Sequence, residues 1–262
     1  MPKANYTCEE GATPDVVEFA LRALSRLAED QRMFGHSDKG VFELFASELY
    51  NAVSDPDRTQ IGIVKDKMLQ AGISTYDMAD NYIPHVARRL GEAWCADNID
   101  FAVTTIGSAR LQGLLRSLGP EWCADDSCTA ASAPKCLVVV PEGAQHTLGA
   151  TILAGQLRRA GISVSLEVGI GLAQLEGILT YSKVDAVMVS ASSRESLEVI
   201  RQIVRKVRAT GRDVPVIVGG NVLSQNEDVA RVTGADFATS SVLEAIGFCG
   251  FNARMLRVVS KS

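Results

Sequence analysis

A chain of 262 residues with 47% apolar and 22% charged side chains is long enough for two small domains and has an ordinary globular composition, which excludes a generally disordered protein. Its net charge of −5 argues against a broad nucleic-acid footprint, since neutralising phosphates takes clustered lysine and arginine, so direct DNA binding is not expected. Met1 to Glu10 lacks the apolar core and cleavage site of a signal peptide, and no apolar run is long enough to cross a bilayer, so no membrane association and a cytoplasmic location are expected.

Thr13-Pro14-Asp15 has the form of a helix start, with a threonine cap and proline in the first turn. Val17, Leu21, Leu24 and Ala28 then recur at helical spacing until Gly35 to Gly40 interrupts them. This tail and helix, residues 1–39, is either an interaction element or a helix packed on the neighbouring domain. From Val41 to Leu118 the apolar residues keep a helical period: Phe45 and Leu49, Val64 and Met68, Ile83 and Leu90, Ile106 and Leu111. Breaks at Ser54 to Asp57, Ala71-Gly72 and Ala96 to Asn98 divide 40–118 into a four-helix antiparallel bundle.

Residues 119–134 are rich in small and polar side chains and read as a linker. The remainder, 135–262, alternates strand and helix. Strands are expected at Lys135 to Val140, Ile162 to Val168, Asp185 to Ser190, Val214 to Val218 and Asp236 to Ala238. Helices are expected at Thr147 to Ala160, Leu172 to Tyr181, Arg194 to Ala209, Leu223 to Val232 and from Val242. That alternation predicts an α/β domain, a flavodoxin-like five-stranded parallel sheet with helices on both faces. Arg201, Arg205, Lys206, Arg208 and Arg212 share a helix with Glu195 and Glu198 and read as a solvated face.

Six cysteines, Cys8, Cys95, Cys123, Cys128, Cys136 and Cys249, lack paired CxxC spacing, so no zinc site is expected. Cys136 and Cys249 have apolar surroundings and read as small hydrophobes. Cys123 and Cys128 are near each other in sequence, but spacing alone does not lower a thiol pKa.

Ligands of open parallel sheets bind outside the carboxyl ends of the strands. Three turns there are informative: Pro141 to Gly149, Ser190 to Ser193, and Gly219-Gly220-Asn221. His146 stands just before a helix, where its imidazole could coordinate a metal from the open side; a loop histidine is equally an ordinary surface or capping residue. Gly219 and Gly220 admit a bulky group to the backbone, as turn glycines also do. Ser190 could donate to a ring nitrogen or cap a helix. Gly169-Ile170-Gly171 lacks the further glycine of a dinucleotide fingerprint and reads as a turn. No Ser/His/Asp triad, metal-hydrolase spacing or phosphate loop is present, and the protein is not expected to be an enzyme.

Together the three turns resemble the cobalamin-binding domains of methionine synthase, corrinoid methyl carriers and cobalamin-dependent photoreceptors. Their pattern is Asp-x-His-x-x-Gly, Ser-x-Leu and Gly-Gly; here stand Ala144 to Gly149, Ser190-Ala191-Ser192 and Gly219-Gly220. The resemblance implies that His146 is the lower cobalt ligand, that Gly149, Ser190 and Ser192 line the cobalamin pocket, and that Gly219 and Gly220 make room for the nucleotide tail. Ala144 replaces the aspartate that would orient the histidine, which implies weaker or altered ligation. Glu142 could partly substitute. Ser192 in place of leucine makes the tail pocket more polar.

Tyr82-Ile83-Pro84 and Leu90 to Trp94 resemble the helical cap of such domains, with Trp94 over the upper corrin face; a tryptophan ending a helix is as often core. Where the photoreceptors carry Glu-His ten residues after the tryptophan, this chain has Thr104 and Thr105. Over bundle, linker and sheet the likeness is to the AerR/PpaA antirepressors of purple photosynthetic bacteria. It implies cobalamin as cofactor (hydroxocobalamin or adenosylcobalamin) and a repressor of photosystem genes of PpsR/CrtJ type as partner. The photoreceptors' helix-turn-helix domain is not matched, which implies action through that partner. The alternatives are a corrinoid methyl carrier, a haem-binding redox sensor, or a domain whose pocket binds nothing.

Overall fold

The computed structural model of the chain describes residues 36–119, 133–144, 146–192, 196–224 and 228–251. The helix expected from Thr13, most of the expected linker, Cys8, Cys123 and Cys128 lie outside them. The first described helix, α1 (His36–Ser54), begins inside the stretch expected to interrupt the chain. Gly40 is exposed and a side chain there would touch nothing, while Ala46, Leu49, Ala52 and Val53 are buried, so packing of the later turns outweighs the roughly 1 kcal/mol disfavour of a helical glycine.

Asp57 starts α2 (Thr59–Gln70) by accepting from the Thr59 N–H and hydroxyl. Ser74 caps α3 (Thr75–Asp77), which widens into a π-helical turn, Met78–Tyr82, before α4 (Ile83–Cys95). The cause lies at Pro84: without an N–H it cannot donate to the carbonyl of Asp80, and its ring crowds that turn. The helix opens there, and the Ile83 N–H donates to Met78, five residues back. Asp100 caps α5 (Phe101–Ser117) through the Val103 N–H.

Leu49, Met68, Met78, Ile83, Leu90, Leu111 and Leu115 fill the bundle core. Ile106, expected in that core, is 47% exposed. Gly107 is the buried residue beside it, and a Cβ there would come 2.9 Å from Leu90, so α4 and α5 meet over a glycine.

The second part is one parallel sheet in the order β2-β1-β3-β4-β5. Its strands are β1 (Lys135–Pro141), β2 (Ser163–Ile170), β3 (Ala186–Ser190), β4 (Val216–Gly219) and β5 (Phe237–Ala238). In β1, Cys136, Val138 and Val140 face α6 (Leu148–Arg159) and α10 (Val242–Phe248), whereas Leu137 and Val139 pack against α7 (Leu172–Tyr181) and α8 (Leu197–Arg208). Coverage on both faces explains the unbroken apolar run. The helix expected over Leu223 to Val232 is divided into a 3-10 turn, Asn221–Ser224, and α9 (Val229–Thr233), which Asp228 caps from a left-handed conformation at φ 60.

The cations of α8 are engaged: Arg201 and Arg205 with Glu198, Lys206 with Glu176, and Arg208 with Asp236; Arg212, expected on the same helix, lies beyond its end and donates to the Ser182 carbonyl. Cys136 is buried, Cys249 half-buried and Cys95 exposed. Among the described residues no helix is long and apolar enough to cross a membrane.

The bundle rests on α6. Leu148 and Ile152 enter the bundle core, and Gln112 of α5 donates to the Thr147 hydroxyl over 3.3 Å. At the far end Arg159, 6% exposed, is paired with Asp80 of the π-turn, with its guanidinium 5.3 Å from the centre of the Tyr76 ring. Burial pushes the Asp80 carboxyl above its ordinary range, although Arg159 and Gln156 pull it down. Breaking such a pair strands a charge, whereas removing both partners can be neutral. Arg159→Met is therefore expected to cost about 3–5 kcal/mol in urea denaturation, and Asp80→Leu with Arg159→Met to restore the parent's stability.

Asp236 joins β5 to α8 and β4. Burial raises its carboxyl, but Arg208 and the Val216 N–H more than offset that and hold it below the ordinary range. A depressed carboxyl contributes stability above its unfolded pKa, lost as pH falls through the folded value. Asp236→Asn should flatten the acid limb of the stability profile below about pH 4, read as urea midpoint against pH.

Candidate functional site

After β1 the chain turns to β2 on one side and later returns to β3 on the other, so the crevice between β1 and β3 is the point where strand order reverses. A β-bulge bends the end of β2 beside the exit of β1: Val140 pairs with Val168 and Pro141 with Ile170, skipping Gly169 at φ 69. The turn after β1 leads to His146, which is exposed, two residues before α6. Among the described residues none hydrogen-bonds its ring. Ala144 offers only a methyl group. Glu142 is exposed and its carboxylate lies 3.1 Å from where a side chain on Gly171 would begin, against the turn between β2 and α7.

The second and third turns are stitched together. Ser190 is the register partner of Gly219, the Ala191 N–H donates to the Gly219 carbonyl over 2.9 Å, and the Val222 N–H donates to Ala191 over 3.2 Å. A Cβ at Gly219 would lie 2.9 Å from the Thr239 carbonyl oxygen; at Gly220, with φ 100, it would overlap the carbonyl of Ala191. Both glycines are thus required by the fold itself, and the wall they form is bare backbone. Ser190 and Ser192 are half-buried beside it. Gly149 differs: it is exposed in the first turn of α6 and a Cβ would meet nothing within 4 Å, so the fold does not demand a glycine there.

Trp94 is half-buried at the end of α4 and its ring centre lies 6.1 Å from that of Phe101, at 59°. Phe101, 63% exposed at the start of α5, escaped the sequence reading; an aromatic directly after a helix cap, where burial is poor, was the available signal. Gln112 is eleven residues further along α5, a rise of about 16 Å, so the aromatic pair stands well away from the level of the His146 turn. Among the described residues no cluster of three or more His, Cys, Asp or Glu could hold a metal ion. An exposed imidazole at the carboxyl end of β1, with a backbone wall and half-buried hydroxyls on the neighbouring turns, suits a metal that brings its own equatorial ligands in a macrocycle.

The family model of the B12 binding domain matches residues 134–246. A protein of Rhodobacter capsulatus described as the uncharacterized 20.5 kDa protein in the bchF-crtJ intergenic region is 36% identical over 178 residues, 68% of this chain and 92% of that protein. The chain belongs to the B12-binding family. The fold of the B12-binding protein is shared with the monomethylamine corrinoid protein of Methanosarcina barkeri, 17% identical with a TM-score of 0.64, over 76% of this chain and 94% of that one. It is also similar to a cobalamin-binding protein of Desulfitobacterium hafniense DCB-2, 22% identical over 79% of this chain and 97% of that one, with a TM-score of 0.41.

The two kinds of glycine separate experimentally. Gly220→Ala is expected to lose about 2 kcal/mol or more from backbone strain, whereas Gly149→Ala should stabilise the ligand-free protein by about 0.5 kcal/mol, both read from thermal unfolding.

Proposed function

We propose that this B12-binding protein is a transcriptional antirepressor that holds cobalamin between its bundle and its sheet and binds a photosystem-gene repressor of PpsR/CrtJ type according to light or corrinoid state. The observation that carries this reading is the relative from the bchF-crtJ intergenic region, matched over nearly its whole length. In this reading His146 is the lower cobalt ligand. The nucleotide tail runs past Ser190 and Ser192 along the backbone wall of Gly219 and Gly220, with Gly149 leaving space at the start of α6. Trp94, with Phe101 beside it, would reach the upper corrin face only if the bundle shifts, because the pair stands well away from the level of the His146 turn. Held by these residues, the corrinoid would supply cobalt chemistry that responds to light or redox state. The chain's part is to hold the macrocycle and to turn that change into an altered surface.

The fold shared with the monomethylamine corrinoid protein favours a second reading, a methyl carrier. Against it, Ala144 leaves His146 without an adjacent carboxylate, and repeated cobalt redox cycling gains more from a tuned ligand than sensing does.

The test is the visible spectrum of protein incubated in the dark with adenosylcobalamin or hydroxocobalamin, desalted and then illuminated. The parent should retain the corrinoid bands and His146→Ala should bind about tenfold or more weakly, with a changed lower-ligand signature. Illumination should alter both the adenosylcobalamin spectrum and the affinity for the repressor. Equal repressor binding in light and dark would remove the light response. Methyl transfer from bound methylcobalamin to a thiol or folate would establish the carrier instead, and loss of all corrinoid on desalting would remove the cofactor.

A further inference from the structure

His146 is exposed and, among the described residues, its ring receives no hydrogen bond. Ala144 cannot supply one, and the Glu142 carboxylate is turned against Gly171. What places the imidazole is therefore the backbone from which it projects, the entry to α6. That helix is clasped by the bundle at both ends. At its start Gln112 reaches the Thr147 hydroxyl, one residue from His146; at its last residue Arg159 is buried in a pair with Asp80 and stacked near Tyr76. Ile152 lies in the bundle core and Leu148 packs against it. The polar clasps are directional and set the rotation of the helix. Nothing in stability alone calls for the buried pair, since apolar side chains of similar volume usually do as well.

We propose that Gln112 and the Asp80–Arg159 pair are positioning residues for His146. By clamping α6 to the bundle they fix the helix entry from which the imidazole projects, a task that no group hydrogen-bonded to the ring performs among the described residues. The inference rests on the reading of His146 as a cobalt ligand, and it assigns to helix placement an orienting effect elsewhere supplied by a neighbouring carboxylate, commonly worth about 10- to 100-fold in metal affinity.

The experiment compares the parent, Asp80→Leu/Arg159→Met, Gln112→Ala and His146→Ala, first without cofactor and then with hydroxocobalamin. Both clasp variants should keep cooperative unfolding yet show about tenfold faster hydrogen exchange at the amides of 151–155, the first hydrogen-bonded amides of α6, with the amides of β1 and β3 unchanged. With hydroxocobalamin they should lose part of the His146-dependent spectral signature and release the corrinoid about tenfold faster. Should the double variant fail to fold, Gln112→Ala carries the same two readouts. Parent-like exchange and release in the clasp variants overturns the proposal while leaving the site intact. A His146→Ala protein with the parent's spectrum overturns the ligand reading and the positioning role with it, and the ligand-free exchange data tell the two failures apart.

Discussion

Helix α6 belongs to two cores at once, and the arrangement of the whole molecule depends on that double burial. Ala150 and Leu157 pack on the sheet beneath β1, while Leu148 and Ile152 pack among the bundle helices, and Arg159 closes the far end against Asp80. A parallel sheet needs cover on both faces, and a helix used for that cover normally turns its other side to water. Here that side is taken by a second domain. The candidate ligand projects from the entry of an element that packs in both halves.

Much of the architecture was legible because burial imposes a period. Continuous apolar runs at 137–140 and 186–189 announce strands covered twice, and helical stripes between them announce the crossovers of a parallel sheet, whose order the structure supplies. Legibility failed where a single residue acts through something distant in sequence. Asp80 and Arg159 are ordinary charges 79 positions apart, and no periodicity says that both are buried. Ile106 fits a helical stripe as well as Leu111 does, but close approach of α4 put Gly107 in the contact instead. Gly40 reads as a break although the helix passes through it, and Asp228 starts a new helix where the apolar pattern suggested an uninterrupted one.

The site was legible in a different way. Its turns were located by strand ends, and the glycines by their pairing, yet the structure separates two reasons for a glycine that sequence presents identically. Gly219 and Gly220 are demanded by carbonyl oxygens of Thr239 and Ala191, so their presence alone argues for tight turns; Gly149 has no such neighbour. Exposure of His146, by contrast, could not be read from pattern, because a solvated histidine looks like any loop residue until the surrounding chain is placed.

The π-turn at Met78–Tyr82 can be viewed as one residue more than an ordinary helix would need. Each residue of an α-helix advances the face by about 100°, so closing the turn by a one-residue deletion would rotate everything before it by that angle relative to α4. Asp80 would swing away from Arg159, and Tyr76 would leave the guanidinium it faces. Chain length in this segment is consequently locked to the interdomain contact: a variant one residue shorter can retain the bundle core of α4 or the pairing with α6, but not both.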